Sequence, residues 1–399
     1  MLPASVRRVA RFRILDTTDI LALRNACGLD MKVDPMTGDY SKILPSDVTS
    51  GASSCQRSTL ATLGWEPYFA NQISVDELAE TPPVRIVEVL RNTLHIIGEG
   101  INETIATHSG ATVGDWLLFD REHPQSSRIL DRKSLLKRRA SGTDRQVQLI
   151  AANIDTAFIV TSCNQDFNIA RLERYIALAF DADITPVIVL TKADLVCGTQ
   201  NYVDDAQAIS EQVSVVTLDA RGDEPKVKLA EWCKPGETVA FLGSSGVGKS
   251  TLTNALMGTQ SIETQAIRED DAKGRHTTTR RQLYFVPNGC IVLDTPGMRE
   301  LQLDDAAFGI DGVFADLRSL ATQCQFNDCR HMTEPGCAVR QAIGNGEIET
   351  ARLDRWRKLL AEEVFNSASF AERRSKDKAF GKMVRRVTKQ KTGRNQRND

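Results

Sequence analysis

The order of two short motifs constrains this chain more than any other feature. The octet Gly243-Ser244-Ser245-Gly246-Val247-Gly248-Lys249-Ser250, with Thr251 after it, follows the apolar run Thr238-Val239-Ala240-Phe241-Leu242 and opens a helical stretch, residues 250–257. Glycines in such a loop let backbone N–H groups turn inward around the α- and β-phosphates of a nucleotide. Lys249 reaches the β- and γ-phosphates, and Ser250 supplies a hydroxyl to Mg²⁺. The string alone is a modest signal, and the strand before it and helix after it give it meaning. A second motif, Thr191-Lys192-Ala193-Asp194, stands upstream of this loop, after the buried-type run Pro186-Val187-Ile188-Val189-Leu190. A carboxylate at Asp194 accepts two hydrogen bonds from guanine, from N1–H and the exocyclic amine, a pair of donors that adenine lacks. Base-reading and phosphate-binding halves are both present and exchanged, which makes the chain a circular permutation.

The switch elements follow. Asp294-Thr295-Pro296-Gly297 comes after strand-like runs at 282–286 and 290–293, joined around the turn pair Asn288-Gly289. At a strand end Asp294 can bind Mg²⁺ through water, and the Gly297 N–H can meet the γ-phosphate and report its loss. The polar segment 263–281 contains Gly274-Arg275-His276-Thr277-Thr278-Thr279. One of Thr277 and Thr278 is expected to close over Mg²⁺ in the GTP state, the choice between them being open. Met298 stands where many GTPases carry a water-orienting Gln, and its thioether is a weak acceptor. His276 is therefore the candidate catalytic residue, because imidazole can hold or deprotonate water near neutral pH.

Cys324, Cys329, His331 and Cys337 put three thiols and one imidazole within fourteen residues, enough for a closed tetrahedral zinc site. Four protein ligands leave no open position, so the expected role of the single Zn²⁺ is structural. Cysteines 27, 55, 163, 197, 233 and 290 are scattered and read as reduced thiols.

On the phosphate loop, on His276-Thr277-Thr278-Thr279, on Asp294-Thr295-Pro296-Gly297-Met298-Arg299-Glu300 and on the cysteine cluster, the chain resembles the circularly permuted, ribosome small-subunit-dependent GTPases of the RsgA type. The resemblance runs from about residue 63 to about residue 363. It implies a multidomain α/β protein with an N-terminal OB-fold β-barrel, a circularly permuted P-loop GTPase domain and a C-terminal zinc-binding α-helical domain. The corresponding division is an unassigned extension at 1–62, an RNA-binding barrel with its lead-in at 63–150, the GTPase domain at 151–305, the zinc domain at 306–365 and a basic tail at 366–399. It also implies GTP and GDP as ligands, the 30S subunit and its 16S rRNA as partners, and an action late in subunit maturation, with hydrolysis triggering release. Two positions depart from the general GTPase pattern. Thr191 stands where Asn is usual, and the loop expected to read Ser-Ala near the base reads Leu218-Asp219-Ala220-Arg221-Gly222. Both departures are expected to weaken guanine affinity.

Bulk composition fits a soluble, cytoplasmic, monomeric protein with several cores: 399 residues, 41% hydrophobic, and no stretch long enough to cross a membrane. The formal net charge of -2 hides basic blocks: Arg128, Arg132, Lys133, Lys137, Arg138, Arg139 and Arg145, and a Lys- and Arg-rich tail at 373–397. Such blocks suit phosphate contacts. Before the first block come short β-like runs at 84–90, 93–97, 103–107 and 116–119, four of the five strands a small barrel needs, with Trp116 and Phe119 read as core. Residues 347–365 have helical spacing, with Leu353, Trp356, Leu359 and Leu360 on one face. The alternative to a 30S-dependent GTPase is an RNA-binding P-loop protein with a regulatory or structural nucleotide site and a different partner.

Overall fold

The computed structural model describes residues 58–139, 147–196, 198–258, 281–287, 289–294 and 306–367. The expected roles of His276, Thr277, Thr278 and Gly297 fall outside these residues. The chain divides after Asp131 into two compact units, each with its own core.

In the first unit, three short helices, α1 (Thr59–Thr62), α2 (Pro67–Ala70) and α3 (Val75–Glu80), precede five strands. Ser74 caps α3 through a reciprocal pair with Glu77, its hydroxyl accepting the Glu77 N–H while the Glu77 carboxylate accepts the Ser74 N–H. The strands are β1 (Pro83–Val89), β2 (Thr93–Gly98), β3 (Ile101–Ala106), β4 (Trp116–Leu118) and β5 (Arg128–Ile129), all antiparallel in the order β3-β2-β1-β4-β5. The fifth strand, which the sequence pattern hides, is only two residues long. Apolar residues at alternate positions, Val84 and Ile86 with Leu94 and Ile96, meet Ile101, Ile105, Leu117 and Phe119 in one core. Trp116 lies in a second cluster with Leu63, Phe69, Leu118 and Leu130, so both aromatics are core residues as their context predicts.

The second unit opens with an antiparallel hairpin, β6 (Leu135–Arg139) and β7 (Val147–Ala152). Then follow β8 (Thr156–Ser162), α4 (Ile169–Asp181), β9 (Thr185–Thr191), α5 (Gln200–Gln207), β10 (Ser214–Thr217), α6 (Glu224–Lys228), β11 (Thr238–Leu242), α7 (Lys249–Met257), β12 (Arg281–Phe285) and β13 (Ile291–Asp294). These strands pair as β10-β9-β8-β11-β13-β12, all parallel except β12, which runs antiparallel to β13. β8 is buried at every position, and β9 at every position after its first, as expected for parallel strands covered on both faces. The phosphate-loop strand β11 lies between β8 and β13, so halves that are exchanged in sequence are adjacent in space. Such a sheet binds ligands at the carboxyl ends of its strands, where the connections reverse direction.

Four more helices complete the unit: α8 (Ala307–Val313), α9 (Ala315–Ala321), α10 (Ala338–Gly344) and α11 (Thr350–Ser367). Helix α8 crosses α4 at Gly309, where a Cβ would stand 1.9 Å from the Ala177 carbonyl oxygen, so only glycine permits the approach. Leu353, Trp356 and Leu359 are the buried residues of α11, on the face that the periodicity predicts. Among the described residues no helix is long and apolar enough to cross a membrane.

Candidate nucleotide and metal sites

The phosphate loop leaves β11 at Gly243 with φ 142°, where a Cβ would lie 2.2 Å from the Val160 carbonyl oxygen on the neighbouring strand. Gly246 and Gly248 also have positive φ, 76° and 101°, and Gly248 caps the N-terminus of α7. The N–H groups of that first turn point toward the helix N-terminus and, together with the helix dipole, favour an anion there. Lys249 Nζ donates to the Gly243 carbonyl at 2.9 Å and also to that of Ser244, so the lysine folds over its own loop. Ser250 and Thr251 lie in the first turn of α7, and Val247 is buried beneath the loop. Asp294 ends β13, two strands from β8, at the same end of the sheet.

Thr191 ends β9 and is fully buried. Its hydroxyl donates to the Val247 carbonyl at 2.7 Å and lies 3.2 Å from the Thr161 carbonyl. The threonine thus ties the end of β9 to the loop after β11, a task its hydroxyl performs without an amide. Lys192 takes the left-handed region at φ 56°, and Ala193 and Asp194 begin a single 3₁₀ turn. The loop after β10 closes the same corner. Its Ala220 is buried, and a Cβ on Gly248 would lie 3.6 Å from the Ala220 Cβ and 3.8 Å from Thr191 Oγ1. Arg221 in that loop sets Nη2 2.5 Å from Asp194 Oδ2, a contact that no sequence pattern announced.

A second arginine escaped the sequence reading. Arg171, in the first turn of α4, donates from Nη1 to Ser244 Oγ in the phosphate loop. With Arg174, Tyr175 and Ser245 it lines a cavity of about 440 Å³ beside that loop. On the same helix, Glu173 is fully buried and accepts from Arg355 Nε at 2.9 Å on both carboxylate oxygens. Arg352 lies 3.6 Å from Glu173 and bonds Asp316 through two nitrogens, at 2.7 and 3.0 Å. Burial pushes the Glu173 carboxyl above its ordinary range even though Arg355 and Arg352 pull it down. Arg174 pairs with Glu362. Helix α4 is thus fixed to the phosphate loop at one point and to α11 at three.

The cysteine cluster fits zinc. Cys324 Sγ stands 3.9 Å from Cys337 Sγ and 3.6 Å from His331 Nδ1, His331 Nδ1 is 3.4 Å from Cys337 Sγ, and the ligand atoms of all four residues lie within 4.8 Å of one another. Tetrahedral Zn–S and Zn–N bonds place such ligands about 3.8 Å and about 3.6 Å apart. Gly336 at φ 67° makes the turn, and the Gln325 N–H donates to its carbonyl at 3.0 Å to close the loop. Burial raises the Cys324 thiol, but N–H groups of Val339 and Ala338 at the start of α10 outweigh it and bring the thiol down. Burial pushes the His331 ring down, toward the neutral form that binds metal. The ring stacks on Trp356 of α11, with centroids 5.6 Å apart. Among the described residues Cys163, Cys233 and Cys290 carry free thiols.

The basic block is partly consumed by structure. Arg128 pairs with Glu77 at 2.8 Å and Lys133 with Asp155 at 2.6 Å, while Arg138 donates to Gln148 at 3.0 Å.

The RsgA GTPase family profile matches residues 129–304. A Vibrio vulnificus protein, small ribosomal subunit biogenesis GTPase RsgA 2, is 46% identical over 342 residues, covering 85% of this chain and 98% of its own length. The chain belongs to the RsgA GTPase family. It is a GTP-binding GTPase, and the RsgA protein of Mesorhizobium japonicum is 48% identical over 321 residues, 77% of this chain and 91% of that one. The crystal structure of YjeQ from Thermotoga maritima superposes with a TM-score of 0.51 at 25% identity, covering 71% of this chain and 98% of that one.

Proposed function

We propose that this GTPase binds the 30S ribosomal subunit, acts late in its maturation, and leaves it when GTP is hydrolysed. The observation that carries the reading is the junction at Thr191, where the base-reading strand and the phosphate loop share a buried hydrogen bond. Around it, Thr191, Lys192, Ala193 and Asp194 form the base subsite, with the Asp194 carboxylate reading guanine. Residues 243–251 cradle the phosphates, with Lys249 on the β- and γ-phosphates. Ser250 and Asp294 are the protein's ligands toward Mg²⁺, with Thr277 or Thr278 added in the GTP state and Gly297 reporting the γ-phosphate. His276 holds or deprotonates the attacking water. Cys324, Cys329, His331 and Cys337 hold one structural zinc ion.

The relatives' names, small ribosomal subunit biogenesis GTPase, support the choice of partner. In this reading the five-stranded first unit is an oligonucleotide-binding barrel that grips 16S rRNA with the zinc domain and basic tail, and the protein works as a cytoplasmic monomer. Arg171 and the α4–α11 contacts give the phosphate loop a physical connection to the C-terminal helices, so a change at the γ-phosphate can alter the grip. Hydrolysis of GTP by the full chain is measured alone, with 30S subunits, and with 50S subunits and ATP as controls. A large rise with 30S alone is expected, and equal rates with and without 30S would overturn the proposal. Lys249→Ala is expected to abolish that rise. If it also leaves RNA binding and release unchanged, the nucleotide site is only structural.

A further inference from the structure

Arg221 is bonded to Asp194, the carboxylate that the proposed function assigns to the base. The Arg221 side chain is 67% exposed, yet it is held at four points: Nη2 on Asp194 Oδ2 at 2.5 Å and on Asp219 Oδ2 at 3.3 Å, and Nε and its own N–H on Asp219 Oδ1 at 3.1 and 3.0 Å. Asp219 is itself fixed, its N–H donating to Glu224 Oε2 at 3.0 Å. Glu224 in turn accepts from Lys228 Nζ at 2.9 Å. A guanidinium presents parallel N–H donors on a planar N–C–N edge. The N1–H and exocyclic amine of guanine sit on an N–C–N edge of the same shape. Asp194 takes one donor of that edge, Nη2, while Nε is held by Asp219, and a carboxylate placed to read guanine accepts a donor of this kind.

We infer that Arg221 is an internal stand-in for guanine: it satisfies Asp194 in the nucleotide-free protein, must leave when GTP or GDP enters, and so sets nucleotide affinity. The inference rests on Asp194 being the guanine reader. The cost of displacement is that of an exposed ion pair, up to about fivefold in Kd, because water already competes for both groups. The gain is an empty site without a bare carboxylate turned toward an incoming polyanion.

The test is fluorescent GDP and GTP binding to the full chain, comparing wild type with Arg221→Met. The variant is expected to bind both nucleotides about two- to fivefold tighter at low salt. The difference should close as salt rises and the screening length falls from about 10 Å at 0.1 M to about 3 Å at 1 M. Losing a positive charge near an anionic ligand would by itself weaken binding, so tightening cannot come from that source. Arg221→Lys, which keeps the charge and loses the planar edge, is expected to tighten binding by less. Unchanged or weaker binding in Arg221→Met would overturn the inference.

Asp194→Asn separates this from the site assignment. It is expected to move preference from GDP to XDP, whose base carries a carbonyl in place of the amine, and adding Arg221→Met to it should then leave XDP affinity unchanged. If Asp194→Asn fails to shift the preference, Asp194 is not the reader and the inference falls with it. A normal shift without tightening by Arg221→Met removes the stand-in role alone.

Discussion

Two carboxylates of this protein are each gripped by arginine, and their surroundings make the grips opposite in kind. Asp194 meets Arg221 with side-chain exposures of 31% and 67%, whereas Glu173 meets Arg355 with exposures of 0% and 22%. At the first pair water competes with both partners and salt screens them, so the pair adds little to stability. At the second, removing one partner leaves an uncompensated charge in the interior, at about 3–5 kcal/mol. A ligand can replace the first grip and cannot reach the second. The weak contact lies where a nucleotide must enter, and the strong one where helix α11 is seated on α4.

Metal removal is the most severe way to break this contrast, because α11 has a second anchor in the stack of His331 on Trp356. Structural zinc sites in small peptides are worth about 10–16 kcal/mol at neutral pH. Chelation, or Cys337→Ser, is therefore expected to unfold the segment from 324 to 337, read as lost hydrogen-exchange protection, while GDP binding by the parallel sheet persists. If GDP binding disappears with the metal, the joint at Glu173 does not hold the two parts independently, and the contrast fails.

Next in size comes the joint itself. Glu173→Ala is expected to lower the stability of the second unit by about 3–5 kcal/mol in thermal or urea unfolding. Asp194→Ala should change it by less than about 0.5 kcal/mol. The raised pKa of Glu173 shows that its ion pairs do not fully offset its desolvation. Replacing both partners, Glu173→Met with Arg355→Met, should therefore recover most of the loss. Equal losses in Glu173→Ala and Asp194→Ala would erase the distinction between the two grips.

Thr191 lies between these extremes, being neutral but fully buried. Thr191→Val keeps the shape and strands the Val247 carbonyl, at about 1–3 kcal/mol. It should weaken GDP binding because the phosphate loop loses its tie to β9. Unaltered GDP affinity would show that the loop is positioned without it.

What the sequence made legible follows from pattern. Apolar runs such as Pro186-Val187-Ile188-Val189-Leu190 end in motifs of fixed spacing, so the parallel sheet, the exchanged halves and the grouping of Cys324, Cys329, His331 and Cys337 could all be read. Trp116 and Phe119 were legible as core for the same reason. Arg221, Arg171 and Glu173 were not, because a single charged residue has no period and its partner lies far off in sequence, 182 residues away for Glu173 and Arg355. The one available signal was Glu173 itself, an acid among the buried residues Leu172, Tyr175 and Ile176 of an amphipathic helix, where a partner is required. The basic block misled in part, since Arg128 and Lys133 serve internal pairs. The loss of Asn at position 191 looked like a weakness in base recognition, whereas Thr191 makes a buried tie to the phosphate loop that only the fold reveals.

The smallest effect belongs to Asp316, whose side chain is 44% exposed and which shares Arg352 with Glu173. The two acids titrate in opposite directions. Burial alone would raise Asp316, but hydrogen bonds from Arg352 and from the Leu317 N–H outweigh it and lower it below its ordinary 3.8. A lowered folded pKa contributes stability that is present above the unfolded value and lost as pH falls through the folded one. Glu173, raised above its ordinary 4.5, has the opposite sign, its contribution growing as pH falls from the raised value toward 4.5. Asp316→Asn should cost at most about 1 kcal/mol near neutral pH, since Arg352 keeps its bonds to the Ile209 and Val313 carbonyls. In acid titrations below pH 3.8 the variant should lose less stability than wild type, because the group responsible for that part of the loss is gone. Identical acid profiles would mean that Arg352 is held by Glu173 and the two carbonyls alone. The half-exposed pair with Asp316 would then belong with the Arg221 contact and not with the buried joint.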